Sequence, residues 1–132
     1  MAVLALALFS GCGSDADYAN DPRPPSPITV SASISQGKVS VSPASFGAGP
    51  VTLIIANLTD DAQTITLETQ ELSQKSGIKQ TSTVINPQGT GQLKVDVPEG
   101  TYVVGVDRDG IREATVKVSR ERPSSQDQLL QP

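Results

Sequence analysis

A lone cysteine, Cys12, and the absence of any histidine in 132 residues narrow the chemistry open to this chain. Nucleophiles and general bases that work near neutral pH are most often cysteine or histidine, so carboxylates, hydroxyls and lysines are what remains. Asp60 and Asp61 are adjacent, which on a strand points them to opposite faces and in a turn leaves both solvated. Asp107-Arg108-Asp109-Gly110 echoes the start of a calcium loop, but the rest of that ligand series and its closing Glu are missing. A hairpin turn accounts for Asp109-Gly110 without a metal. Asn57-Leu58-Thr59 matches a glycosylation sequon, although closing a strand-end turn is the simpler role for Asn57. With an aromatic content of 3%, the chain lacks the platforms on which sugars stack. No catalytic, cofactor-binding or metal-ligating residue is assigned, and the expectation is a protein that is not an enzyme.

Cys12 has a different chemistry. Ala2 to Phe9 is an unbroken apolar run, far short of the about 20 residues a membrane-spanning helix needs. It fits the apolar region of an export signal, followed by the small residues Ser10 and Gly11. Ser10-Gly11-Cys12 resembles the junction of bacterial lipoprotein signals, with Phe9 where that family favours Leu. The resemblance implies that the Cys12 thiol is acylated with diacylglycerol and that residues 1–11 are removed. The mature protein would then be anchored in the bacterial cell membrane, facing outside the cytoplasm.

The elements that follow fall into three parts. Gly13 to Pro27 is small, acidic and proline-rich, cannot bury enough surface to offset its chain entropy, and is expected to be a tether. In extended polyproline form it would reach up to about 45 Å from the lipid. Residues 28–119 form one expected domain, and residues 120–132 a polar tail. The net charge of −4 and isoelectric point near 4.6 lack the basic stripe that phosphate backbones attract, which argues against nucleic acid.

Within 28–119 the pattern has period two. Ile28-Thr29-Val30-Ser31-Ala32-Ser33-Ile34 alternates strictly, the signature of a half-buried strand. Similar runs are expected at 38–41, 51–57, 63–68, 83–85, 93–97, 101–106 and 114–118, separated by turn residues such as Gln36-Gly37 and Pro98-Glu99-Gly100. The stretch 51–57 is the most apolar, as suits a central strand. Only Gln70 to Gln80 breaks the rhythm. Thr69 could cap a helical turn there and Gly77 could end it, and this longer polar connection is a candidate contact surface. The fold expected is all-β, a Greek-key β-sandwich of seven or eight short strands.

Pro43-Ala44-Ser45-Phe46-Gly47-Ala48-Gly49-Pro50-Val51, continuing to Asn57, resembles the opening half of a cupredoxin-like domain. Pro98-Glu99-Gly100-Thr101-Tyr102 is similar to that family's turn into its penultimate strand. Immunoglobulin-like sandwiches use comparable turns, so both topologies stay open. The cupredoxin resemblance implies a copper centre, with a His after the Asn and a Cys, a second His and often a Met near the last two strands. Gln63 and Thr64, Val104 and Val106, and Asp109-Gly110-Ile111 stand there instead. Blue copper requires imidazole and thiolate, so no copper is expected.

Two classes of function follow. One is a non-catalytic binding or structural module, anchored to the membrane and facing an envelope protein. The alternative is an accessory for metal handling, or a cell-envelope enzyme built on carboxylates.

Overall fold

The computed structural model describes residues 23–70 and 77–125. Cys12, the signal segment 1–11, most of the tether and residues 71–76 lie outside the described residues. Eight strands are present: β1 Ile28–Ile34, β2 Val39–Ser42, β3 Ser45–Asn57, β4 Ile65–Thr69, β5 Lys79–Thr81, β6 Thr90–Val97, β7 Gly100–Val106 and β8 Ala114–Glu121. No helix occurs among the described residues.

The period-two pattern becomes two layers through β3. Its first residues, Ser45 to Gly47, run parallel to Lys117–Ser119 of β8. Beyond a bulge at Gly47/Ala48 it leaves β8, then pairs with β6 antiparallel and with β1 parallel. One sheet therefore has the order β2-β1-β3-β6, and the other runs from the start of β3 through β8, β7 and β4 to β5. Gly49 makes the switch possible, with φ at +128°, a conformation an L side chain resists.

The core lies between the layers and is aliphatic, as the scarcity of aromatics predicts. Val30, Ala32 and Ile34 of β1, Val51, Leu53 and Ile55 of β3, and Val97 of β6 are buried from one sheet. Ile65, Leu67, Tyr102, Val104, Val116 and Val118 meet them from the other. The alternation is sharp in β3: Ile54, between buried Leu53 and Ile55, points outward and is 39% exposed.

Three expectations shift. Thr83–Ile85 is not a strand. Ile85 forms only a bridge with Gln63 (N···O 2.8 and 3.0 Å) and drops its side chain onto Gly91, where a Cβ would lie 2.7 Å from Ile85 Cγ1. The edge of β4 is taken instead by β5, registered by a Thr66–Thr81 hydroxyl contact of 3.0 Å and a Glu68–Lys79 ion pair of 3.3 Å. Residues 107–113 are not a two-residue hairpin either. They bond sideways to the β1–β2 turn, where Val39 N–H donates to Arg112 O (2.7 Å) and Arg112 N–H to Gly37 O (3.0 Å). Finally, the folded part reaches past both expected edges, since β8 continues to Glu121 and Pro25 is buried.

Candidate functional site

The strand directions gather four connections at one end. β1 and β3 both finish there, Ile34 level with Asn57, while β6 starts there with Thr90 opposite Ala56. β7 ends there and β4 begins, Val106 opposite Ile65. Residues 35–38, 58–64, 82–89 and 107–113 therefore share one rim.

Asn57 organises it. The side chain is fully buried, and its Nδ2 donates to the carbonyls of Asp61 (2.8 Å), Ile85 (3.1 Å) and Asn86 (3.1 Å). Its Oδ1 accepts from the Thr59 N–H (3.1 Å) and hydroxyl (2.7 Å). Two amide hydrogens serving three carbonyls and one oxygen serving two donors leave no spare capacity. Asn57 thus closes the strand-end turn, as its position predicts, and its nitrogen is committed inside the protein rather than offered to a glycan.

Gln88 is a member of this end that sequence reasoning missed. It is the one non-glycine with positive φ (58°) among the described residues, and its Nε2 donates to Thr59 O at 3.2 Å. Gly89 N–H closes the turn onto Asn86 O (2.9 Å). Asn86-Pro87 was the available signal, because such pairs initiate turns.

Outside this network is an open cavity of about 280 Å³, lined by Gln36, Asp60, Asp61, Arg108, Asp109 and Ile111 among others. Arg108 is hydrogen-bonded to the Asp61 carboxylate, with side chains 49% and 59% exposed, so water screens the pair strongly. The structure thus brings Asp60, Asp61 and Asp109 to one rim. It does not make them a metal cage, since no cluster of three or more His, Cys, Asp or Glu suited to a metal occurs among the described residues.

At the opposite end, Tyr102 is 3% exposed and its hydroxyl donates to Pro98 O at 2.8 Å, a tyrosine corner across the Pro98–Tyr102 turn. Burial pushes the phenol above its ordinary value, with the Thr69 hydroxyl opposing. Gln70 N–H bonds to Thr101 O (3.0 Å) and Ile78 N–H to Thr69 Oγ1 (2.9 Å), so the 70–80 connection is pinned at its base there. Thr69 ends β4, and the helical turn expected after it falls in 71–76, outside the described residues.

No protein-family model matches the sequence, and no curated protein matches it. Solved structures do. Auracyanin A, a "blue" copper protein from the photosynthetic bacterium Chloroflexus aurantiacus, superposes with a TM-score of 0.58 at 18% identity, over 71% of this chain and 100% of its own. Auracyanin B gives 0.54 at 14% identity over 72% of this chain and 90% of its own. The auracyanin of Roseiflexus castenholzii gives 0.50 at 13% over 70% and 96%. The fold is cupredoxin-like. That decides between the two topologies left open by the turns.

A cupredoxin-like fold raises the question of copper, and the residues present do not fit it. Imidazole and thiolate ligands define blue-copper sites. The chain holds no histidine, and its single cysteine is Cys12, ahead of the domain. Val104 is fully buried in the core and Val106 packs against it. Gln63 is buried, with Nε2 3.4 Å from Thr59 Oγ1. As donors to a metal this rim offers carboxylates, amides and hydroxyls, with no imidazole or thiolate.

Proposed function

We propose that this chain is an extracytoplasmic lipoprotein whose cupredoxin-like domain carries no copper and acts by binding, as a non-catalytic module of the cell envelope. The observation that carries the reading is the Asn57 network. The rim where this fold would hold a metal is tied together by an amide with all its hydrogen-bonding capacity satisfied internally. Hydrogen bonds of this kind join the 58–64 and 82–89 connections without any ion. The exposed Asp60, Arg108 and Asp109 side chains around the adjoining cavity then form a polar face for a protein partner. The lipid anchor is supported by the apolar run Ala2–Phe9 and the Ser10-Gly11-Cys12 junction.

Electron transfer is the activity to exclude first. Purified full-length protein, incubated with copper and adsorbed on an electrode, should show no reversible one-electron couple above that of free copper. A stable couple belonging to a protein-bound copper would overturn the reading.

A further inference from the structure

Arg122 lies just past β8, in the segment expected to be a polar tail, yet its side chain is one of the most fully bonded among the described residues. Nε donates to Gly47 O (3.1 Å) and Ala48 O (3.2 Å), Nη2 to Pro50 O (2.6 Å), and Nη1 to Ser26 O (2.7 Å). Its own N–H donates to Ala48 O at 3.0 Å. The guanidinium therefore spans three segments far apart in sequence: the end of β8, the sheet-switching stretch of β3, and the proline-rich lead into β1.

The surrounding sequence makes room for it. A Cβ on Gly47 would lie 2.6 Å from Arg122 Cγ, and one on Gly49 would lie 2.9 Å from Arg122 Nη2 and 3.2 Å from Pro25 Cγ. Pro25 is buried against this point. The glycines of Gly47-Ala48-Gly49-Pro50 thus form a seat for the arginine and the proline. A planar fork with donors fixed in direction suits several carbonyls at once, which a lysine ammonium on a flexible stem does not.

We propose that Arg122 is a clasp that fixes where and in what direction the N-terminal stalk leaves the domain. Ile28 pairs with Val51 and Ile34 with Asn57, so the clasp sits a full β1 strand from the four-connection rim, roughly 20 Å away. A stalk held there leaves the domain at the end opposite the rim. It presents the Asp60–Arg108 face outward. The meaning of "outward" rests on the lipid-anchor reading above; the clasp does not.

Spin labels test the clasp without any membrane. In full-length Cys12→Ser protein, one label pair is placed at Arg23→Cys and Lys38→Cys, from stalk to rim. A control pair within the domain uses Lys38→Cys and Lys117→Cys. Electron–electron distance measurements should give a narrow stalk–rim distribution that broadens at least twofold in Arg122→Lys and Arg122→Ala, while the control pair stays narrow. A stalk–rim distribution that is broad from the start, or still narrow in both variants, overturns the clasp. So does broadening of both pairs together in both variants, which would make Arg122 a general packing residue. Failure of the anchor reading would show separately, in membrane fractionation of the Cys12 variant.

Discussion

The Thr59 hydroxyl donates to Asn57 Oδ1 at 2.7 Å, and both residues are buried at the end of the longest strand. Such a bond is costly to break from one side. Removing the amide leaves the buried Thr59 N–H without its acceptor and takes one donor each from the Asp61, Ile85 and Asn86 carbonyls, which keep only the Thr59 hydroxyl, Gln63 N–H and Gly89 N–H. Asn57→Ala should therefore destabilise the fold by about 3 kcal/mol in urea unfolding. A loss under about 1 kcal/mol would mean that water replaces the amide at little cost.

Tyr102 gives a pH signature. Burial raises the phenol's folded-state pKa above the ordinary value of 10.0, so above that pH the folded state holds its proton more tightly than the unfolded chain does. Its contribution is fully present below pH about 10 and is lost as pH rises through the folded value. Tyr102→Phe should cost about 1 kcal/mol at neutral pH through the lost bond to Pro98 O, and should flatten the alkaline limb of the stability curve. An unchanged alkaline limb would contradict the assignment.

Gly49→Ala combines a disfavoured φ with a close approach to Arg122 and Pro25. About 2 kcal/mol of destabilisation is expected by thermal unfolding. Gly37→Ala, where a Cβ meets nothing within 4 Å, should be tolerated and serves as the comparison.

How much of this was legible depended on whether the signal was local. Ile28 to Ile34 was readable outright, because strict alternation and burial are the same fact seen twice. β3 was readable only from Val51 onward. Its first half, Ser45 to Pro50, has the glycines and proline of a turn, and pairing with β8 over 45–48 and with β6 at Gly49 and Pro50 keeps it extended. β5 is Lys79-Gln80-Thr81, exposed throughout, and its register comes from partners on β4 that no pattern within three residues can announce. The role of Asn57 at the strand end was legible, since short amides favour such turns. Arg122 was not, because its acceptors lie 72 to 96 residues away in sequence. The missing copper ligands needed no structure, as composition alone carries that argument.

Lipidation has its own readout. Expressed in a bacterium, the full-length chain should partition with membranes and incorporate labelled fatty acid, whereas Cys12→Ala should appear in the soluble fraction unlabelled. Membrane retention of the alanine variant equal to that of the parent would contradict anchoring at Cys12.

The central claim is that this cupredoxin-like domain stands without a metal, and thermal unfolding tests it most directly. A ligand that binds only the folded state at 100 times its dissociation constant stabilises by about 2.7 kcal/mol, which would raise Tm by several degrees. The purified full-length protein should unfold in one cooperative step at the same Tm with a strong chelator as without it. Stoichiometric Cu(I) or Cu(II) should neither raise that Tm nor produce an intense blue absorption. A chelator-induced fall in Tm, or a copper-induced rise with a blue band, would contradict it.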